Sequence, residues 1–240
     1  MHTRYRTEAI FLKKIKRFEA DEYLIAYSRD FGKLFVAGKS IRKIKSKLRS
    51  SSELFCYSNI EFVRGRNYNI LTDSETINNF SKIKNDLGKM SVAFKISELI
   101  DSFITEEEED ENLWALIKKS FYLLDGLSNK GDKKEELKLF YFYFAFKFLE
   151  FLGYAPKVDS CIIDNDEKVG FFSPWHGGAI CPGCKEKVDN RPLIKFSEKD
   201  KKFLLLIFKT RFEDFLSQKA NFKRAEEILE KYIQFLPRRI

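Results

Sequence analysis

The sequence predicts an α+β fold in which a five-stranded OB-type β-barrel is followed by an α-helical domain with an inserted zinc-finger-like lobe. Three observations lead to it: short β-rich runs between turn residues up to Glu75, helical periodicity after Thr76, and paired metal-ligating residues between Cys161 and Cys184. The 240 residues, 44% of them hydrophobic, are enough for two modest cores or one large one.

The first 75 residues contain five β-rich runs, with turn signals at Asp30–Gly32 and Gly65–Asn67. Their number and length are typical of a small OB-type barrel, a fold that holds single strands of nucleic acid in a basic groove lined by aromatic rings. We therefore predict a nucleic-acid-binding OB domain over residues 1–78. The five runs are EAIFLKKI, EYLIAYSR, KLFVAGKS, ELFCYSNIEFVR and YNILTDSE.

The rest of the chain is predicted to be mostly helical. We divide it into a helical domain, residues 79–154 and 192–240, and a zinc-finger-like insertion, residues 155–191. The predicted helices include one within 77–103, with Ile83, Leu87, Met90, Phe94 and Ile96–Leu99 on one broad face, and two more near 198–218 and 223–236.

The most apolar run, Leu137–Tyr154, has nearly the length of a membrane span but contains Lys138, Lys147 and Glu150, so we interpret it as a core helix. Charged residues follow Met1 without an apolar signal region, and only four cysteines are present. These features predict a cytoplasmic protein without a disulfide framework and without a membrane partner.

Positive charge is concentrated in residues 1–80, which hold 16 Lys and Arg residues against 9 Asp and Glu residues. Such a field attracts polyanions, nucleic acid first among them, although many basic surfaces only keep a protein soluble. The segment from Gly38 to Ser51 is the strongest candidate for phosphate binding, and the alternative is a solvated loop without a ligand. The candidate residues are Lys39, Arg42, Lys43, Lys45, Lys47 and Arg49, supported by Arg64 and Arg66 on the next turn.

Four aromatic residues of the barrel, Phe35, Phe55, Tyr57 and Tyr68, are candidates for stacking on bases. Alternating aromatic residues on strands are more often part of a core. Both interpretations stay open at this point.

A metal site is predicted from ligand spacing. Two residues separate Cys161 from Asp164, two separate Cys181 from Cys184, and sixteen lie between the pairs. This is the C-x₂-C-x₁₅₋₂₀-C-x₂-C zinc pattern with Asp in the second place. We expect one Zn²⁺ per chain at these four residues, in a structural role, because a full set of protein ligands leaves no position for a catalytic water.

His176 is an alternative fourth ligand. Its imidazole suits zinc better than a carboxylate does, but it lies off the paired spacing. The alternative to a bound metal is a metal-free lobe held by its β-turns and by Phe171, Phe172 and Trp175.

Three stretches resemble the RecO family of bacterial recombination mediators, in the right order along nearly the whole chain. They are TEAIFLKKIKRFEADEYLIAYSRDFGKLFVAGKSIRKIKSKLRSSSELF, FLGYAPKVDSC and FSPWHGGAICPGC. The resemblance implies an OB barrel, a helical domain and a zinc-finger-like lobe whose four-cysteine set is complete in some members and eroded in others. Asp164 stands where a fourth cysteine would be.

The resemblance also implies binding of single- and double-stranded DNA and annealing of strands coated by single-strand-binding protein (SSB). With RecR, such proteins help to load RecA in recombinational repair, which implies work at the bacterial nucleoid. The loop from Lys39 to Arg49 resembles the family's DNA-contacting stretch. The acidic SSB tail is expected on the helical region, around Phe203–Phe208, beside Lys199, Lys202, Lys209 and Arg211.

Catalysis is not expected, because the sequence has two His residues, no P-loop, no paired acidic nuclease motif and no nucleophile with a recognisable base. Two other classes remain as alternatives. One is an enzyme with Cys181 or Cys184 as nucleophile and His176 as base. The other is a zinc-bearing OB-fold module that binds RNA or takes part in transcription.

Overall fold

The structure, a computed structural model, describes residues 3–105, 108–127, 133–188, 191–216 and 223–236. The described residues up to 127 form one compact unit, and those from 133 to 236 form another. The finer division into a barrel domain, a helical domain and an insertion stays a prediction.

The first unit is built on a closed five-stranded barrel, which confirms the predicted fold class. Its strands are β1 (Arg4–Arg17), β2 (Asp21–Ser28), β3 (Gly32–Gly38), β4 (Tyr57–Arg64) and β5 (Asn69–Asn78). They are ordered β1-β2-β3-β5-β4, and β1 also pairs with β4, which closes the barrel. All pairs are antiparallel except a short parallel contact between β3 and β5.

Residues that alternate along each strand form the core of the barrel, since successive side chains point to opposite faces. In β2, for example, Leu24 and Ala26 are fully buried inside. The register of β1 against β2 shifts between Phe11 and Lys13, which marks a bulge. The interior is formed by Ala9, Phe11, Leu24, Ala26, Leu34, Val36, Ile60, Phe62 and Leu71.

Four helices complete the first unit: α1 (Leu48–Ser51), α2 (Ser81–Lys84), α3 (Leu87–Phe103) and α4 (Glu111–Gly126). The helix predicted within 77–103 is therefore interrupted. Asp86 causes the break, because its carboxylate accepts hydrogen bonds from the backbone N–H groups of Gly88 and Lys89 and begins a new helix. The predicted apolar face is also incomplete, since Leu87 is 87% exposed and Phe94 is 41% exposed.

Two lysines satisfy the carbonyl groups that helices leave unpaired at their C-terminal ends. Lys33 Nζ lies 2.8 Å and 2.7 Å from the carbonyl oxygens of Asp101 and Ile104, at the end of α3. The buried Lys89 donates to the carbonyls of Asp125 and Leu127, each at 2.8 Å, at the end of α4. A cation at this position also interacts favourably with the helix dipole. These two lysines therefore stabilise helices.

The second unit is built on a helix that is apolar on nearly every side. α5 (Lys133–Phe151) buries Phe142, Phe144, Phe146 and Phe148, as expected for a core helix. No helix among the described ranges is long and apolar enough to cross a bilayer. The other helices of this unit are α6 (Glu198–Lys209), α7 (Phe212–Leu216) and α8 (Lys223–Phe235).

The helix predicted near 198–218 is divided after Lys209. The Nζ of Lys147 lies 2.9 Å from the carbonyl oxygen of Phe208, and the hydroxyl of Tyr143 lies 3.0 Å from that of Thr210. Both donors belong to α5. They satisfy carbonyl groups that a continuous helix would have bonded internally, so the tertiary contact makes the break possible.

Gly32 lies at a turn between β2 and β3 where a side chain does not fit. Its φ is +57°, and a Cβ there would be 2.1 Å from the backbone oxygen of Glu108. We predict that Gly32→Ala lowers the free energy of unfolding of the first unit by on the order of 1–3 kcal/mol. Chemical denaturation measures the change. Gly126→Ala is the matched control, because a Cβ there meets nothing within 4 Å, and equal stability of the two variants would contradict the prediction.

Candidate nucleic-acid interface and metal centre

The basic loop, residues 39–52, leaves the barrel after β3 and is anchored near both ends. Ile41 is 1% exposed and packs into the barrel core. The carbonyl oxygen of Ser51 accepts hydrogen bonds from the hydroxyls of Ser58, at 2.6 Å, and Ser74, at 3.1 Å. These contacts hold the loop against β4 and β5.

All six predicted cations of the basic loop are exposed. Within the described residues, no carboxylate forms an ion pair with any of them, in contrast to Lys33, whose Nζ lies 2.7 Å from the carboxylate of Asp101. Ile44, which stands among these cations, is 90% exposed. The loop therefore presents unneutralised charge, which is what a phosphate backbone attracts.

Arg64 and Arg66 lie at the turn between β4 and β5, outside the basic loop. Arg66 is exposed, and the guanidinium of Arg64 lies 5.1 Å from the ring centroid of Tyr5. The same turn contains Tyr68.

The four candidate stacking residues divide into two pairs. Phe55 and Tyr57 are 2% and 5% exposed and pack against α4, so they belong to the core. Phe35 is 40% exposed on the outer face of β3, and Tyr68 is half-buried. The structure brings this second pair together with Arg17, Phe18 and Tyr23. Arg17, Phe18 and Tyr23 were not among the predicted stacking residues, although Phe18, an aromatic residue at the tip of a hairpin turn, was a signal for this site.

The metal-ligating residues lie together in a small lobe of the second unit. The lobe contains a three-stranded sheet of β6 (Phe171–Ser173), β7 (Gly178–Ile180) and β8 (Ile194–Lys195), followed in sequence after β7 by a 3₁₀ helix, Pro182–Lys187. Cys181 directly follows β7, and Cys184 lies in the 3₁₀ helix. Cys161 and Asp164 come from an earlier turn, which the backbone bond from Asn165 to the carbonyl of Cys161 closes at 3.0 Å.

The four predicted ligands form one group, in which one ligand atom of each lies within 4.8 Å of all the others. Asp164 Oδ2 lies 3.0 Å from Cys184 Sγ and 3.3 Å from Cys181 Sγ. A tetrahedral zinc site, with Zn–S near 2.3 Å, separates its sulfur ligands by roughly 3.8 Å. The donor set and its spacing therefore fit a single metal ion.

His176 is not in this group. Its Nδ1 lies 2.8 Å from the hydroxyl of Ser173, at the turn between β6 and β7. The structure therefore brings Asp164, and not the alternative His176, to the three cysteines.

The thiols and the carboxylate perturb one another. Hydrogen bonds from Cys184 and Cys161 lower the pKa of Asp164, and the carboxylate in turn raises the pKa of Cys184 to about 12. Burial opposes ionisation of Cys161, but backbone N–H groups, with Cys181 the largest contributor, outweigh it and lower the pKa of this thiol. A divalent ion would replace these shared protons, so metal binding at this site releases protons.

Two family models match the chain. One, described as Recombination protein O N terminal, covers residues 1–80, and the other, described as Recombination protein O C terminal, covers residues 84–236. The chain belongs to the RecO family. This confirms the resemblance drawn from the three sequence stretches.

Curated relatives within the RecO family match most of the chain. The DNA repair protein RecO of Caldanaerobacter subterraneus subsp. tengcongensis is 30% identical over 233 residues, which are 95% of this chain and 91% of the relative. The protein of that name from a strain of Dehalococcoides mccartyi is 33% identical over 192 residues, 79% of this chain and 73% of the relative. That of Desulforamulus reducens is 27% identical over 238 residues, 96% and 89% of the two chains.

The residues predicted to receive an SSB tail lie along and just after α6 of this RecO-family chain. Lys202 and Lys209 are exposed, and Arg211 Nε lies 3.6 Å from the carboxylate of Asp214. Lys199 is exposed and lines an open pocket that also contains glutamates. Within the apolar run, Phe203, Leu204 and Ile207 are buried in the core, and Leu205, Leu206 and Phe208 are half-buried.

The ligand set predicts the metal content of the protein. Material purified with zinc and reductant should hold about one metal ion per chain by elemental analysis. Asp164→Cys should retain the ion longer against a chelator, because thiolate is a softer ligand than carboxylate, and Asp164→Ala should lose it sooner. His176→Ala is the control and should retain the ion like the wild type. Metal-free protein, or a loss in His176→Ala equal to that in Asp164→Ala, would rule out this ligand set.

Proposed function

We propose that this RecO-family protein binds single- and double-stranded DNA through the basic loop and anneals complementary strands in recombinational repair. The observation that supports it is the loop itself: six exposed cations, anchored to an OB-type barrel, without a carboxylate partner among the described residues. Each phosphate bound there releases counterions, which supplies affinity for any DNA sequence. An annealing factor has to bind strands of any sequence.

The proposal includes no bond-breaking step. The two thiols considered as nucleophiles, Cys181 and Cys184, face the carboxylate of Asp164, which keeps them protonated in the absence of metal. His176, considered as their base, contacts Ser173 instead. In this proposal the metal centre stabilises the lobe, so DNA annealing should survive Asp164→Ala.

The proposed function also includes three protein partners, SSB, RecR and RecA. Annealing of SSB-coated strands requires contact with SSB, and loading of RecA requires RecR, as the family resemblance implies. For SSB we propose that its acidic tail docks along α6, which carries the exposed Lys202 and Lys209 and the half-buried Leu205, Leu206 and Phe208, and which Arg211 follows. Cations beside an apolar surface suit a peptide that ends in apolar residues and a carboxylate.

The basic loop is tested by replacing Lys43, Lys45 and Lys47 together with Gln. Affinity for single strands and for duplexes should fall alike, and the slope of log K against log salt should flatten by about 0.7 to 0.9 for each lost phosphate contact. Fluorescence anisotropy over a range of salt concentrations measures both quantities, with RNA of the same sequence as competitor. Annealing of SSB-coated strands should slow in parallel.

The matched control replaces Lys168, Lys187 and Lys195, three exposed lysines of the lobe, with Gln. It removes the same formal charge from another surface. We expect its slope and affinity to stay near those of the wild type. An unchanged slope in the loop variant, or an equal loss in the control, would overturn the assignment of the basic loop.

The SSB site is tested with a synthetic tail peptide. Wild-type protein should bind it with micromolar affinity that weakens with salt, and Lys202→Glu and Arg211→Glu should each lose most of that affinity while remaining folded. Lys187→Glu on the lobe is the control. Equal binding by all variants would place the docking site on another surface.

A further inference from the structure

Three aromatic rings surround one guanidinium on the outer surface of the barrel, and a fourth ring packs against one of the three. The Cζ of Arg17 lies 4.4 Å from the ring centroid of Tyr23, 5.0 Å from that of Phe18 and 5.3 Å from that of Tyr68. Tyr23 in turn lies 4.6 Å from Phe35 and 5.6 Å from Tyr68, centroid to centroid. We call these five residues the ring cluster.

The ring cluster is not part of the barrel core. On β2 and β3 the inward positions next to it are Leu24, Leu34 and Val36, all fully buried, so Tyr23 and Phe35 point outward. Phe35 is 40% exposed and Phe18 is 77% exposed. Outward aromatic rings at this degree of exposure contribute little to folding, and a cluster of them marks an interaction surface.

The backbone conformation at Phe18 is also unfavourable for a phenylalanine. It lies at the tip of the β1–β2 hairpin with a φ of +51°, a left-handed conformation that large side chains rarely adopt. Neither burial nor backbone preference accounts for a phenylalanine at this position.

The ring cluster and the basic loop are joined into one surface. The guanidinium of Arg42 donates to the carbonyl of Glu19 at 2.9 Å, and its backbone N–H donates to that of Ala20 at 3.0 Å. The backbone N–H of Ser40 donates to the carboxylate of Asp21 at 2.7 Å. The hairpin that presents Phe18 is thus bound to the loop that presents the cations.

We propose that the ring cluster stacks on unpaired bases of a single strand whose phosphates bind the basic loop, an inference that rests on the proposed function of that loop. A ligand with regularly spaced anionic groups and flat π-faces matches the two halves of this surface, and single-stranded nucleic acid has both. Bases in a duplex are stacked on one another and cannot reach the rings. The ring cluster therefore gives the protein a preference for single strands, which the cations alone do not.

Phe18→Ala and Phe35→Ala test this inference. Each should weaken binding of a single-stranded oligonucleotide by about 5- to 150-fold, since stacking on one aromatic side chain contributes about 1–3 kcal/mol per base. Duplex affinity should change by less than twofold, and the salt slope should stay at the wild-type value, because no cation is removed. Phe18→Trp should bind single strands at least as well as the wild type, and oligonucleotide binding should quench the fluorescence of the new indole.

The control variant is Phe151→Ala, which removes another exposed ring, 48% exposed, in the second unit. An oligonucleotide with abasic sites provides a control on the ligand, because it keeps the phosphates and removes the stacking partners. Wild-type protein should bind the abasic strand at least as weakly as Phe18→Ala binds the normal one, because the abasic strand loses stacking on every ring of the cluster. Single-stranded RNA should show the same loss in Phe18→Ala, since stacking does not depend on the sugar.

The outcomes separate this inference from the proposed function. If wild-type protein fails to bind DNA, the proposed function fails. It also fails if the loop variant has the same slope of log K against log salt as the wild type. If the loop variant behaves as expected but Phe18→Ala and Phe35→Ala bind single strands within twofold of the wild type, the stacking inference alone is overturned. Equal losses for single strands and duplexes would also overturn it.

Discussion

The first unit depends on β1 forming hydrogen bonds with two strands at once. Its pairing with β2 runs from Ala9 to Arg17, and its pairing with β4 runs from Arg4 to Ile10. This closes the barrel and removes the free edges that an open sheet would expose. The same register places the β1–β2 hairpin beside the end of β3, where Glu22 pairs with Gly38. The ring cluster and the start of the basic loop meet there because the barrel is closed in this register.

The cations of this protein differ in whether their charge already has a partner inside the fold. Lys33, Lys89 and Lys147 each donate to carbonyl groups at a helix end, so their charge already has partners inside the fold. The basic loop has no comparable contacts to carboxylates among the described residues, and its charge faces solvent. The formal net charge of +8 counts both kinds alike. The candidate nucleic-acid interface is therefore the loop whose exposed cations form no ion pair with a carboxylate among the described residues, although Arg42 also donates to the backbone carbonyl of Glu19.

The metal lobe shows how a small core can depend on ligands. Its core cluster consists of Cys161, Ile180, Cys181 and Cys184, with a few half-buried apolar residues around it. So few apolar groups supply little hydrophobic stabilisation, and bonds from three thiolates and a carboxylate to one ion would supply more. Asp164 can occupy the place of a fourth cysteine because its side chain reaches the same point from the turn that holds Cys161.

By itself, the sequence determined the barrel, the paired spacing of the candidate metal ligands and the position of the basic loop, because each depends on local spacing: a period of two along strands, paired residues in a turn, and a run of cations without an acid. The tertiary structure decided the rest. The predicted helices broke at Asp86 and after Lys209, where an N-cap and two donors from α5 satisfied the backbone. Phe55 and Tyr57 became core, whereas Phe35 and Tyr68 stayed outside, since helices cover only part of the barrel. Phe18 and Tyr23 belong to the same hairpin as Arg17, but Tyr68 reaches Arg17 from the distant β4–β5 turn, because the pairing of β3 with β5 brings that turn beside the hairpin.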